Sequence, residues 1–222
     1  LVRLEQDAKR LGIKFCLETL QYYLNQACTN LLKSNTPASV VKVLISRGSG
    51  GRGYEPPEFP KPQIIISFYP TAKLVPRVSA SSSYKKTVKI AEMRLSIQPL
   101  LAGIKHLNRL EQVLFKRQAD ELGLDDLLCL DIHQHLIETS SANLFWYKDG
   151  KWFTPEFSRC GVNGVFRQFL LGLFSEYGID CVIGEFGIHE LVSADSVFVC
   201  NAVRGMMPVG ELLLPMHRKN NQ

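Results

Sequence analysis

The strongest structural signal in this chain is a hairpin near its centre, "NLFWYKDGKWFTP" (143–155). Two apolar runs flank Asp149 and Gly150, and an Asp-Gly pair suits the tight turn that joins two antiparallel strands. The runs before it, "DLLCLDI" and "HLIETS", have the length and side chains typical of paired strands. The chain therefore contains an antiparallel sheet in this region, and any fold assigned to it must include one.

Apolar residues at helical spacing predict helices on both sides of this sheet. The predicted helices cover 4–11, 17–31, 106–123 and 163–178, with a cap at Asn163 and stops at Gly12, Gly123 and Gly178. Further strands are predicted over 39–46, 63–69, 87–95, 181–186 and 196–202, with a short helix around 189–195. Strands in runs with helices between them predict an α+β fold in two unequal lobes.

The polar segment "RVSASSSYKK" marks the division between the lobes. Its serines and its lack of apolar periodicity are typical of a linker. We expect a small N-terminal α/β domain over 1–76, a linker over 77–84 and a larger domain over 85–222.

Composition excludes several classes of protein. The 222 residues contain no apolar run of the ~18 residues that a membrane helix needs. The net charge of +5 comes from dispersed basic residues, which argues against nucleic-acid binding but suits a site for small anions. The six cysteines form no CxxC pair and fit no zinc spacing, so we expect reduced thiols and a cytoplasmic protein.

Two local motifs each allow more than one interpretation. The loop "RGSGGRGY" is either a flexible surface loop or a site where Arg47 and Arg52 grip a carboxylate, since a guanidinium offers a planar, bidentate fork. His133 and His135, in "IHQH", suit a solvated turn between two strands, because no third metal ligand stands at a sensible spacing. We therefore expect no metal site.

Three further features matter mainly in combination. Lys105 alone is best explained as a surface lysine, but a lysine in an apolar pocket becomes a nucleophile. Glu138 ends an apolar strand and is either hydrated or the partner of a buried cation. The helix start in "GVNGVF" leaves backbone N–H groups for a phosphate. Together they predict a pyridoxal phosphate site.

Five motifs in order along the chain strengthen this prediction: "ISRGSGGRGY", "LLAGIKHLNRLEQVL", "ETSSANLFW", "TPEFSRCGVNGVFRQF" and "VCNAVRGMMPV". They closely resemble the aminodeoxychorismate lyase family of pyridoxal phosphate enzymes, which shares fold type IV with D-amino acid and branched-chain aminotransferases. The resemblance covers almost the whole chain, and "GIKHLNRLEQVL" favours the lyases. It implies a homodimer that converts 4-amino-4-deoxychorismate to 4-aminobenzoate and pyruvate in folate biosynthesis.

The resemblance also implies roles for individual residues that bind the cofactor. Lys105 matches the lysine that binds the cofactor covalently, and Glu138 matches the carboxylate that keeps the pyridine nitrogen protonated. The remaining positions match groups that hold the cofactor phosphate: Arg3, Val165, Phe166, Asn201 and Ala202.

For the substrate, Arg52 matches the position that grips a carboxylate in related enzymes, with Tyr54 beside it and Arg47 as a second candidate. The family carries a longer segment before the motif that contains Arg3, so we expect a small domain that lacks its N-terminal part. The alternatives are an aminotransferase for D-amino or branched-chain acids, and an inactive, truncated relative that binds no cofactor.

Overall fold

The computed structural model describes residues 1–34, 39–70 and 85–214. Its five helices are α1 (Val2–Arg10), α2 (Leu17–Lys33), α3 (Leu110–Glu121), α4 (Val165–Glu176) and α5 (Ile188–Val192). Its ten strands are β1 (Ser39–Ser46), β2 (Gln63–Pro70), β3 (Lys86–Ile90), β4 (Asp126–Leu130), β5 (Leu136–Thr139), β6 (Asn143–Lys148), β7 (Lys151–Pro155), β8 (Cys181–Gly184), β9 (Ser196–Asn201) and β10 (Gly205–Leu213). None of the described helices is long and apolar enough to span a bilayer.

The chain divides into two compact units, Leu1–Val75 and Pro76–Gln222. The first unit contains α1, α2 and a two-stranded antiparallel sheet of β1 and β2, which are paired along their full length. The predicted linker over 77–84 lies outside the described residues.

The second unit is built on an eight-stranded mixed sheet with the order β5-β4-β3-β10-β9-β6-β7-β8. Strand β5 pairs with β6 as well as with β4, so six strands form a closed, barrel-like ring, and β7 and β8 extend the sheet beyond β6. The closing contact pairs Glu138 with Asn143. Closure removes the unpaired edges that an open sheet of these strands would expose.

Alternating side chains along the strands separate the interior of the ring from its outer face. Leu144 and Trp146 belong to a buried cluster that takes a residue from every strand of the ring, so this cluster fills the interior. Phe145, between them in sequence, points to the other side and packs with Leu170 of α4. This is the period of two that a strand imposes on its side chains.

Helices α3 and α4 cover the outer face through separate apolar clusters. Phe115 and Ala119 of α3 pack on Leu127 and Cys129 of β4, whereas α4 packs on β6 and β9. All of these α3 and β4 side chains are at most 1% exposed. Each methylene group buried in this way contributes about 0.8 kcal/mol, so packing rather than helix propensity holds both helices in place.

The predicted fold class and most predicted elements are confirmed. The hairpin turns at Asp149 and Gly150, both with positive φ. All three predicted glycine stops have positive φ at the ends of α1, α3 and α4. For example, the N–H of Gly178 donates to the carbonyl of Ser175, and the N–H of Ile179 donates to the carbonyl of Phe174. These two bonds close the last turn of α4.

Two predicted bounds were wrong by four or five residues, and one strand was missed. Helix α3 begins at Leu110 and not at His106, and β3 ends at Ile90, well before Leu95. Strand β10 was not predicted at all. Strand β10 contains Pro208, and its pairing with β3 shifts register between Val209 and Glu211. Both features interrupt the sequence pattern by which a strand is recognised.

We expect Gly161→Ala to destabilise the protein more than Gly123→Ala. Both glycines have positive φ, which costs about 1–2 kcal/mol for an alanine. Only at Gly161 would the new Cβ lie 2.6 Å from Ile137 and Phe157, whereas nothing lies within 4 Å at Gly123. Overpacking adds about 1–3 kcal/mol, and urea unfolding of both variants measures the difference. Equal losses would show that the Ile137 contact relaxes without cost.

Candidate active site

Lys105 lies on a turn that is hydrogen-bonded to the segment before α4. Its neighbour Ile104 is fully buried, whereas Lys105 is exposed. The N–H of Gly103 donates to the carbonyl of Gly161 at 3.0 Å, and the N–H of Asn163 donates back to Gly103 at 3.0 Å. These two bonds fix the lysine's turn against residues 161–163.

The carboxyl group of Glu138 meets the same segment. Its Oε2 accepts a hydrogen bond from the N–H of Val162 at 3.1 Å, and the residue is 5% exposed. Burial raises the pKa of this carboxyl to about 7, against the opposing effects of the Val162 N–H and of the positive charges on Arg109 and Lys105. The structure thus brings Lys105 and Glu138 close enough for their charges to interact.

A buried carboxylate, Asp126, organises the "ETSSA" turn that follows Glu138. Its oxygens accept hydrogen bonds from the hydroxyls of Thr139 at 3.0 Å, Ser140 at 2.5 Å and Ser141 at 2.8 Å. Asp126 is 1% exposed, so each of these bonds helps to offset the cost of burying its charge. The hydroxyl residues in this motif therefore hold the turn that carries Glu138.

The start of α4 is set by side chains and not by the predicted cap. The prediction of Asn163 as the cap was wrong, because the N-cap residue is Gly164 and no side chain caps the helix. Asn163 Oδ1 instead accepts a hydrogen bond from Arg167 at 2.9 Å. Asn143 makes the decisive contacts: it donates to Val162 O at 2.8 Å and accepts from Gly164 N at 3.2 Å.

The turn after β9 lies against the first turn of α4. Asn201 Oδ1 accepts hydrogen bonds from the N–H groups of Val203 and Arg204 at 3.0 and 2.8 Å, which leaves Ala202 exposed at the tip. A Cβ placed on Gly205 would lie 3.7 Å from the ring of Phe166. The two segments predicted to hold a phosphate, around 165–166 and 201–202, are therefore neighbours.

The predicted site residues of the first unit differ in their exposure and in their contacts. Arg3 lies on α1, 3.7 Å from Asp7, and its buried Nε has no hydrogen-bond partner. Arg47 donates to the carbonyls of Gly12 at 3.0 Å and Leu11 at 2.5 Å. Arg52 and Tyr54 are exposed in the glycine-rich loop.

These groups fit the chemistry of pyridoxal phosphate. Glu138 accepts its described hydrogen bond at Oε2, so Oε1 can accept one from a pyridine N–H. The uncapped start of α4 offers backbone N–H groups and a partial positive charge to a phosphate.

Comparison with known proteins identifies the family of this chain. Residues 1–212 match the model of the amino-transferase class IV family. The chain belongs to this family. It is 38% identical to the aminodeoxychorismate lyase of Vibrio harveyi over 210 residues, which are 91% of this chain and 76% of that protein.

Two solved structures have the same fold. The crystal structure of 4-amino-4-deoxychorismate lyase from Pseudomonas aeruginosa matches 95% of this chain and 75% of its own, with a TM-score of 0.82 and 35% identity. An aminotransferase from Brucella abortus, whose structure is bound to the cofactor PLP, matches with a TM-score of 0.72 and 19% identity over 95% of this chain and 73% of its own. The second similarity shows the fold alone.

Sequence reasoning missed Asn143, which links the Glu138 turn to the start of α4. A signal was present, because an asparagine in an apolar strand needs buried hydrogen-bond partners. Arg167 was also missed: it is 4% exposed and donates to Thr154 at 3.1 Å and Pro155 at 2.8 Å.

Two other features, a histidine with two carboxylates and a cavity, do not include Lys105 or Glu138. His135 Nδ1 is 3.2 Å from Asp131 and Nε2 is 3.8 Å from Glu185, and no three potential metal ligands are grouped among the residues that the structure describes. A cavity of about 330 Å³ adjoins the turn and is lined by His106, Arg109 and neighbouring residues, but not by Lys105 or Glu138.

We expect Glu138→Gln to stabilise the cofactor-free protein at pH 8 but not at pH 4. The parent carboxyl has a pKa of about 7 in the folded protein, against an ordinary value of 4.5. The free energy of unfolding of the parent therefore falls as pH rises between these values, and the loss is constant at higher pH. That shift corresponds to at most about 3 kcal/mol. Urea unfolding at both pH values measures it, and an equal difference at pH 4 and pH 8 would contradict burial as the cause.

Proposed function

We propose that this class IV protein is a pyridoxal phosphate-dependent lyase that converts 4-amino-4-deoxychorismate to 4-aminobenzoate and pyruvate. The observation that carries the proposal is the shared segment 161–163, which is hydrogen-bonded to both the Lys105 turn and Glu138. A lysine and a carboxylate joined in this way suit the two ends of one cofactor ring. The similarity to two aminodeoxychorismate lyases favours this reaction over transamination.

Each cofactor contact that we propose has a local physical basis. Lys105 would bind the cofactor covalently through Nζ, and Glu138 would accept the pyridine N–H at Oε1. The phosphate would lie against the N–H groups of Val165 and Phe166, where the dipole of α4 favours an anion. Asn201 and Ala202, in the turn that packs on Phe166, and Arg3 in the first unit would supply its other contacts.

Lys105 is also the group that we propose to move the proton. When bound, pyridoxal phosphate supplies an electron sink for the bond that breaks at the substrate. The substrate's 4-amino group would first take the place of Lys105 on the cofactor, which frees Nζ. The free Nζ would then remove the proton from ring carbon C4, and the C3–O bond would break with loss of the enolpyruvyl group. Return of one proton to that group's methylene carbon gives pyruvate, so atoms balance without added water. The ring becomes aromatic in the same step, which favours product formation.

For the substrate carboxylates we propose Arg52, with Tyr54 beside it. Both side chains are exposed, and a guanidinium binds a carboxylate bidentately. Arg47 has a different role in this proposal, because its two terminal nitrogens bind the carbonyls of Leu11 and Gly12 at the end of α1. Arg47 therefore holds the end of α1, and we do not propose that it binds the substrate.

Lys105→Ala is expected to abolish the visible absorbance of bound cofactor and to reduce turnover by at least about 10³-fold, because the covalent attachment and the proton carrier are both lost. Lys116→Ala is the matched control, since Lys116 is exposed on α3 and pairs only with Asp120 at 2.7 Å among the described residues. Pyruvate and 4-aminobenzoate release is measured for both. Full turnover in Lys105→Ala would refute the assignment.

The same assay separates the lyase from its alternatives. A class IV aminotransferase would use Lys105 and Glu138 but would transfer an amino group from a D-amino or branched-chain acid to 2-oxoglutarate. A relative that binds no cofactor would show neither reaction and no cofactor mass. Pyruvate release from aminodeoxychorismate without transfer to 2-oxoglutarate identifies the lyase.

We further propose that the protein is a cytoplasmic homodimer. All six cysteines are free, and burial raises the pKa of the Cys160 and Cys200 thiols to about 12, which suits a reducing compartment. The segment 100–113 exposes four large apolar side chains, which are 59–81% exposed: Leu100, Leu107, Leu110 and Val113. Exposed apolar side chains concentrated in one segment favour a protein interface, and a second copy is the commonest partner.

Leu110→Asp is expected to convert the dimer to a monomer of 25.0 kDa, because a carboxylate would lose its water in an apolar interface. Leu122→Asp is the control, since Leu122 follows α3 and is 47% exposed. Sedimentation velocity measures both masses. A dimer that persists unchanged in Leu110→Asp would place the interface elsewhere.

A further inference from the structure

The guanidinium of Arg109 is bonded to the backbone on both sides of Lys105. Its Nε donates to the carbonyl of His106 at 3.2 Å, and its Nη2 donates to the carbonyl of Ile104. These residues immediately precede and follow the lysine. A single planar, charged fork therefore spans the residue proposed to hold the cofactor, and it restricts the backbone from which that side chain projects.

Helix capping does not explain the presence of an arginine here. Arg109 is the N-cap residue of α3, but its side chain makes no cap hydrogen bond. Serine, threonine, aspartate and asparagine cap helices far better. The side chain is instead used for the turn that precedes the helix, and this is why α3 begins only at Leu110.

Arg109 also acts on Glu138. Two cations lower the pKa of this buried carboxyl, and the effect of Arg109 is larger than that of Lys105. A positive charge near a buried carboxyl favours its ionised form. The ionised form is the one that can pair with a protonated pyridine nitrogen.

We propose that Arg109 is a positioning residue for the cofactor: its fork fixes the Ile104 and His106 carbonyls on either side of Lys105. The proposal rests on the proposed function, because it assumes that the cofactor is bound at Lys105. It gives a physical role to the arginine of the "HLNRL" motif, which neither the hairpin nor the phosphate-binding segments use.

Two substitutions separate the two parts of this role. Arg109→Lys keeps the charge but replaces the fork with a single ammonium group, whereas Arg109→Gln removes the charge as well. Arg117→Lys and Arg117→Gln are matched controls on α3, since Arg117 is 69% exposed and pairs with Glu121 at 3.5 Å. Circular dichroism establishes that each variant is folded.

The first measurement is the affinity for pyridoxal phosphate. The whole chain, prepared with the cofactor bound, is dialysed against graded cofactor concentrations, and the retained cofactor is measured by its visible absorbance. Borohydride reduction and peptide mass mapping then report the fraction attached to Lys105. Because hydrogen bonds to a charged group are lost, we expect both Arg109 variants to bind about tenfold more weakly. Both Arg117 variants should retain the parent affinity.

The second measurement is the pH dependence of that affinity. Glu138 must be ionised to pair with the pyridinium, so affinity falls as pH falls through the pKa of its carboxyl. Removing a nearby cation raises that pKa, so the midpoint should move to higher pH in Arg109→Gln and stay in place in Arg109→Lys. In Glu138→Gln, the fall in cofactor affinity at low pH should disappear. A merely structural arginine would leave the midpoint unchanged.

Each outcome decides between the proposals. If the parent protein carries no cofactor on Lys105, the proposed function fails. If the parent carries it and both Arg109 variants match the Arg117 controls, only the role of Arg109 is overturned. An unshifted midpoint in Arg109→Gln overturns its effect on Glu138. Should Arg109→Gln not fold, parent-like affinity in Arg109→Lys alone overturns the positioning role.

Discussion

The pairing of Glu138 with Asn143 is the contact on which the second unit depends. It closes the ring of six strands. It also places two buried polar side chains at the seam, which is the line where β5 meets β6. Asn143 then binds Val162 and Gly164, and Val162 binds Glu138 in turn. Because buried polar groups must find partners, the seam, the start of α4 and the carboxylate adopt one mutual arrangement.

This arrangement has a cost in stability. Two carboxylates, Glu138 and Asp126, lie buried in the same unit, and the charge of Asp126 adds to the rise in the pKa of Glu138. Asp126 is compensated by three hydroxyl groups and backbone N–H groups. Glu138 has one backbone N–H and two nearby cations, so its compensation is incomplete without a protonated ligand. That imbalance is what a site built for a cationic ring nitrogen would show.

Features with a local cause could be predicted from sequence. The Asp149–Gly150 turn and the glycine helix stops follow from backbone conformations that few other residues adopt. Strand β10 could not be found in this way, since Pro208 and the register shift break its pattern and only its two neighbours, β3 and β9, define it. The start of α3 was placed too early for a similar reason: Arg109 diverts the chain by contacts that spacing does not reveal.

The sequence by itself determined the chemistry available to this protein: a lysine, a carboxylate, a helix start with backbone N–H groups and the motifs of a class IV enzyme. The tertiary structure decided which of these groups meet. Lys105 and Glu138 are distant along the chain, and no periodic pattern in the sequence indicates that they are neighbours. They are joined through residues 161–163 because backbone N–H and carbonyl groups buried at the seam must be satisfied. Asn143 acquires its role only from that requirement, whereas Arg109 bonds to the carbonyls of Ile104 and His106.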